Sequence, residues 1–183
     1  MKIVILGAGA VGRTLATLLS EENDLVVVDK NPAELSHLEE ETDIKTVLGG
    51  CSYPNILVNS GIADADMVVA VTDSDETNIV ACMVARVLNN SIKTIARVRE
   101  ASYLRGKTKA AMDSGEIPID IHVSPEQLIT DQIQGLIDVP GSLQVIKFGD
   151  GQLNLVAVKA VSGGPMIGHE IADLKKHMPK IDS

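Results

Sequence analysis

The chain has 183 residues, 45% of them hydrophobic but only 2% aromatic, and a net charge of −9 from 25 acidic and 16 basic side chains. That length suits one domain with a small appendage, and the core must be built from Val, Ile, Leu and Ala rather than from rings. The acidic balance and the scarcity of aromatics argue against nucleic acid as a partner, since neither phosphate-backbone neutralisation nor base stacking is provided for. Cys51 and Cys82 stand far apart without metal-type spacing, so a disulfide framework is not the organising device and a reducing cytoplasm is expected. No apolar run approaches the roughly 18 residues of a membrane span and no secretory leader opens the chain, so no direct membrane insertion is expected.

Apolar runs and helical stretches alternate along the chain. Ile3 to Leu6 reads as a buried strand and Val11 to Leu19 as a helix. Leu25 to Val28 is a second strand, followed by a helix over Pro32 to Glu40 with the proline in its first turn. Ile44 to Leu48 is a third strand, and Asn55 to Ser60 a short helix stopped by Gly61. Met67 to Val71 is a fourth strand; Asp73 then opens a helix, with Glu76 completing a capping box. Ile92 to Val98, a helix over Ala101 to Met112, and a strand over Ile117 to Ile121 follow. This alternation predicts a doubly wound parallel sheet with helices on both faces. Ser124 caps a further helix that runs from Pro125 to about Asp138 and ends at Pro140-Gly141. Beyond that break the pattern predicts a β-hairpin, Leu143 to Phe148 and Leu153 to Val161 around a Gly149-Asp150-Gly151 turn. A break at Gly163-Gly164-Pro165 and a last helix over His169 to His177 complete the β-rich appendage. The expected domains are therefore 1–123, a linking helix over 124–141, and the start of a second lobe over 142–183.

Gly7-Ala8-Gly9-Ala10-Val11-Gly12 is a GxGxxG placed between a strand and a helix, the context that the Rossmann dinucleotide fingerprint demands. Gly7 permits the tight turn, Gly9 lets backbone approach a pyrophosphate, and Gly12 lets helix and strand pack closely. The pyrophosphate would lie on the amino end of that helix, by Ala10 and Val11. Asp29 ends the second strand about 20 residues later, where a carboxylate accepts both ribose hydroxyls and repels a 2′-phosphate, favouring NAD over NADP. Lys30 beside it softens that repulsion. The competing readings are a plain tight turn and an acid that merely marks a strand end. Arg97 and Arg99 stand at the carboxyl end of the fifth strand, where ligands bind in open α/β sheets; they suit a phosphate or a surface ion pair. His37, His122, His169 and His177 are scattered, and no nucleophile elbow, Walker lysine or metal-ligand spacing occurs. Cys51 reads as a small buried residue rather than a reactive thiol. A dinucleotide site without catalytic groups leaves two classes open: a binding module, or an NAD-dependent oxidoreductase lacking its substrate domain.

MKIVILGAGAVG, the VVVD strand, ADADMVVAVTDSDETNIVACMVAR and the IARVR strand together resemble the RCK (KTN) nucleotide-binding domain of Trk-type potassium-uptake regulators. HVSPEQLITDQI, PGSLQVIKFGDGQLNLVAVKA and GGPMIGHEI resemble the family's crossover helix and the start of its C-terminal lobe, so the likeness covers essentially the whole chain. The resemblance implies a non-catalytic regulatory subunit that binds NAD or NADH, or else ATP or ADP. It further implies a homodimer or larger ring under a membrane potassium transporter subunit, at the inner face of the cell membrane, with nucleotide gating transport. Gly7, Gly9 and Gly12 would form the phosphate turn and Asp29 the ribose contact. Ser52 lies where the family approaches the adenine, in a Gly49-Gly50-Cys51-Ser52 turn that departs from the family's Gly-Asp-Ala-Ser-like pattern. Thr72, Asp73, Asp75, Glu76 and Asn78 fall on the family's VTxxDExN stretch beside the nucleotide, and Arg97 and Arg99 on its strand-five arginines. Members usually carry a second copy of the unit, which makes this chain an expected N-terminal portion.

Overall fold

The computed structural model describes residues 1–148, 152–161 and 167. The chain divides at Pro125/Glu126 into two compact units. In the first, six parallel strands lie in the order β3-β2-β1-β4-β5-β6: β1 (Lys2–Leu6), β2 (Asp24–Asp29), β3 (Lys45–Leu48), β4 (Met67–Ala70), β5 (Lys93–Arg97) and β6 (Ile121–Val123). Between them run α1 (Ala10–Leu19), α2 (Pro32–Glu41), α3 (Pro54–Asn59), a 3-10 turn over Ile62–Asp64, α4 (Asp75–Leu88) and α5 (Gly106–Asp113). This is the expected doubly wound sheet.

Side-chain alternation explains why both faces need cover. Ile3 and Ile5 of β1, with Leu25 and Val27 of β2, pack against Ala16 of α1 and Leu35 and Leu38 of α2. Val4 and Leu6, with Val26 and Val28, face the other way onto Leu57 of α3 and Ile79, Cys82 and Ala85 of α4. The strand order reverses between β1 and β4, so the loops after them diverge and leave a crevice at the carboxyl edge.

Three local expectations shift. Helix α4 is capped by Ser74, whose Oγ accepts the Thr77 N–H at 3.1 Å, so it starts at Asp75 rather than at Asp73. Glu76 serves that same cap by accepting the Ser74 hydroxyl at 2.9 Å. The helix expected from Ala101 begins only at Gly106, which stands at φ +58°, outside the right-handed helical region. Turns occupy 101–104 instead, and Tyr103 and Leu104 there pack against the core. The sixth strand is Ile121–Val123, not Ile117 to Ile121: Pro118 offers no N–H, and the Ile119 N–H closes a tight turn on the Ile117 carbonyl at 2.8 Å. Asp120 then fastens this segment to the amino end of β5, accepting the Thr94 N–H and the Arg86 guanidinium, each at 2.7 Å. Burial works against its charge, but those donors outweigh it and hold the carboxyl below its ordinary range.

In the second unit α6 spans Pro125–Asp138, as expected, and β7 (Ser142–Phe148) pairs antiparallel with β8 (Leu153–Val158). Gly135 seats α6 on this hairpin, for a Cβ there would stand 3.1 Å from Val145 Cβ. Leu128, Ile129, Ile133 and Ile137 are exposed, Ile137 by 71%. The Gly149-Asp150-Gly151 turn, the Gly163-Gly164-Pro165 break and the helix expected over His169 to His177 lie outside the described residues.

Candidate functional site

The crevice at the switch point is a cavity of about 580 Å³ with a floor of glycine backbone. Gly7 leaves β1 at φ +107°, a conformation L side chains rarely adopt, and its N–H donates to the Val28 carbonyl at 2.8 Å. A Cβ on Gly7 would lie 3.0 Å from the Thr72 backbone, so the loops after β1 and β4 touch here. Gly9 is the N-cap of α1, with no side-chain cap, which leaves first-turn amides for an anion. Nothing lies within 4 Å of a Cβ built on Gly9, whereas one on Gly12 would fall 1.8 Å from the Gly7 carbonyl oxygen. One glycine keeps space on the open side of the turn; the other allows the helix to cross its own turn.

Asp29 stands at the end of β2, its Oδ2 accepting the Ala8 N–H at 2.7 Å and its Oδ1 the Asn31 N–H at 2.8 Å. The carboxylate thereby ties the glycine turn to the β2–α2 loop and keeps lone pairs directed at the cavity wall it helps to line. Lys30 lines the same wall, and Gly50, Ser52 and Tyr53 the wall after β3. On the opposite side stand Thr72 and Asp73, after β4, and Arg97, at the end of β5.

Of the sequence-derived candidates, Gly7, Gly9, Ala10, Val11, Asp29, Lys30, Ser52, Thr72, Asp73 and Arg97 line the cavity. Gly12, Glu76 and Arg99 do not. Gly12 lies beneath the turn, and Glu76 is engaged with Ser74. Arg99 turns to α4 instead, donating to the Asp73 carbonyl and placing its Nε 3.5 Å from Asp75 Oδ1. Asp75 is buried, and its Oδ2 accepts the Arg99 and Glu100 N–H groups at 2.8 and 2.7 Å. Asn78, fully buried, accepts from the Thr72 N–H at 2.9 Å and donates to the Arg97 carbonyl at 2.9 Å. Asp75 and Asn78 thus fasten the cavity rim from below.

Sequence reasoning missed Asn31, Glu34, Tyr53, Ser74 and Thr77 as lining residues. Glu34 had a legible signal, since the first turn of a helix entered directly from β2 returns to the crevice. Cys51 also lines the wall, but its Sγ is buried and directed at the Val28 carbonyl at 3.4 Å. Burial, reinforced by the Asp29 charge, pushes this thiol up to about 12, and burial does the same to Cys82. Neither is a thiolate at neutral pH, so neither is poised as a nucleophile. Among the described residues no group of three His, Cys, Asp or Glu could hold a metal ion. No helix among them is long and apolar enough to cross a membrane.

The strand order, the glycine turn and the acid at the end of β2 define a doubly wound sheet of the Rossmann class. Within that class the chain belongs to the TrkA-N domain family, whose model it matches over residues 3–118. It is 50% identical, over its whole length, to the Trk system potassium uptake protein TrkA of Halomonas elongata, of which it spans 40%. Among solved structures it resembles the TrkA-N domain of the inner membrane protein ybaL from Escherichia coli, at 22% identity and TM-score 0.63, covering 74% of this chain and 96% of that one. It also resembles the GsuK channel bound to NAD, at 26% identity and TM-score 0.59, covering 79% of this chain and 27% of that one.

Proposed function

We propose that the chain is the nucleotide-sensing portion of a non-catalytic, cytoplasmic regulatory subunit of a potassium uptake system. It binds NAD or NADH in the crevice between β1 and β4, with ATP or ADP as the alternative ligands. One observation carries the reading: the uncapped amino end of α1 and the Asp29 carboxylate face a single cavity across the glycine turn. The amides suit a pyrophosphate and the carboxylate a ribose, while Ser52 and Tyr53 offer a polar group and a ring face to an adenine. The likeness to a channel solved with NAD supports a dinucleotide, and the likeness to the Halomonas elongata protein supports potassium uptake as the process served. The described residues that line the cavity present amides, a carboxylate and hydroxyls, groups that bind and orient a nucleotide.

Calorimetric titration of the full chain tests this. NADH should bind, NADP more weakly than NAD, and Asp29→Ala should weaken NADH by about 1–3 kcal/mol through loss of a charged acceptor. Equal affinity for NAD and NADP, or no response to Asp29→Ala, overturns the assigned role. Hydride turnover with a simple carbonyl substrate would favour the oxidoreductase reading.

The exposed stripe of α6 carries the second part of the proposal, a homodimer that builds larger rings beneath a membrane transporter. Leu128, Ile129, Ile133 and Ile137 recur at helical spacing and are exposed, while Leu136 is half-buried. Such side chains are worth about 1.5–3 kcal/mol each when buried, before the costs of association. Light scattering at micromolar concentration should report at least a dimer, and Ile133→Asp with Leu136→Asp should move it to monomer or aggregate. A compact wild-type monomer at that concentration counts against the ring.

A further inference from the structure

The wall of the cavity beyond β2 carries a second carboxylate that the fingerprint does not require. Glu34, in the first turn of α2, lines the cavity with Asp29 and Lys30. Its Oε2 accepts a hydrogen bond from Arg13 Nη2 at 2.6 Å, joining the first turn of α1 to the first turn of α2. Both side chains are about one-third exposed, at 36% and 33%, so the pair sits at the rim and not in the core. Arg13 is the cation nearest in sequence to the glycine turn, and its Nε is buried with no hydrogen-bond partner among the described residues. A guanidinium at this position, left free, would be ready to pair with a phosphate. Here Glu34 occupies it.

We propose that Glu34 is a specificity-determining residue that disfavours nucleotides bearing a 2′-phosphate, by engaging Arg13, the cation that would otherwise be free to pair with that phosphate. The inference rests on the cavity accepting an adenine dinucleotide with its ribose at Asp29. A 2′-phosphate there would meet the Asp29 carboxylate with only Lys30 free to receive it, because Glu34 and Arg13 neutralise each other. A ribose with both hydroxyls free needs no such cation, since it carries no charge and donates its hydroxyl protons to the Asp29 carboxylate. An ion pair at a rim usually adds little to stability, so its worth here lies in which ligands it turns away.

The test is calorimetry on the full chain with NADH and NADPH, and with 5′-AMP and adenosine 2′,5′-bisphosphate as smaller probes. Glu34→Gln keeps the shape, removes the charge and releases the guanidinium. It should raise the affinity of NADPH relative to NADH about tenfold, with a parallel change for the smaller pair that shrinks as salt is added. Arg13→Met leaves the Glu34 charge in place and should keep or sharpen the preference for NADH. If Glu34→Gln alters both dinucleotides alike, so that their ratio holds, Glu34 is only a strut between helices and the inference is overturned. If Arg13→Met relaxes the preference as Glu34→Gln does, the pair acts through shape rather than charge, which also overturns it. A wild-type chain that binds neither dinucleotide removes the reading of the cavity itself, an outcome separate from a constant ratio.

Discussion

Gly12→Val should strongly destabilise the chain, the largest effect expected of a single substitution in the glycine turn. The first carbon of any side chain at this position would lie 1.8 Å from the Gly7 carbonyl oxygen, so backbone must move rather than a flexible side chain. Two movements are available, and both are costly. Helix α1 can back away from β1, opening the layer in which Ala16 packs against Ile3 and Ile5; or the Gly7 turn can shift, straining a residue already at φ +107°, hydrogen-bonded to Val28 and close against the Thr72 backbone. Overpacking typically costs about 1–3 kcal/mol, and more where backbone is the obstacle. At about 2–4 °C per kcal/mol for a chain of this size, thermal unfolding by circular dichroism should show a fall of roughly 10 °C or an insoluble product. Gly9→Ala is the natural contrast. Its Cβ meets nothing within 4 Å, so the protein should keep its melting temperature while losing nucleotide affinity. A Gly12→Val chain that melts with the wild type would mean that α1 and the turn tolerate separation, and the structural role assigned to Gly12 would be wrong.

This contrast also shows what the sequence could and could not reveal. Glycines, strand-like apolar runs and the acid ending VVVD were legible because backbone sterics and period-two burial act locally. The two flanking layers followed from the same alternation: each of β1 and β2 sends its side chains to opposite faces, so helices had to cover both. The end of β5 was harder. Arg97 and Arg99 share a strand parity, which placed both at the crevice on paper. Yet β5 stops at Arg97, and the next turn bends so that the Arg99 and Glu100 amides reach Asp75. A carboxylate distant in sequence decided that bend, and no local pattern announces it. The shift of β6 is of the same kind, for Asp120 accepts from Thr94 and Arg86 and fastens the segment that leads into that strand. Tyr53 escaped notice because lining a cavity depends on where loops after different strands converge.

Asn78→Ala should lower both stability and nucleotide affinity, and the pairing of these two losses is the informative part. Asn78 is fully buried, and all of its hydrogen-bonding capacity is used. Its Oδ1 accepts from the Thr72 N–H at 2.9 Å and the Thr72 hydroxyl at 2.7 Å. Its Nδ2 donates to the Arg97 carbonyl at 2.9 Å and the Thr72 carbonyl at 3.3 Å. Alanine would leave these groups without the partner they have in a place water does not reach, at a cost of about 1–3 kcal/mol for each that stays unsatisfied. The loss should therefore reach several kcal/mol, a melting temperature lower by roughly 10 °C. Because Thr72, in the loop after β4, and Arg97, at the end of β5, both line the cavity, releasing them should also weaken NADH binding, measured well below the melting point. Asp120→Asn supplies the control. It too weakens a fastening of β5, by removing the charge that Thr94 and Arg86 donate to, but at the amino end of the strand, away from the crevice. It should reduce stability and leave nucleotide affinity as it was. If Asn78→Ala at low temperature binds NADH as tightly as the wild type, the buried amide holds the fold together without setting the spacing of the site. If the two variants lose affinity in proportion to their lost stability, general loosening rather than the rim at Thr72 and Arg97 governs binding.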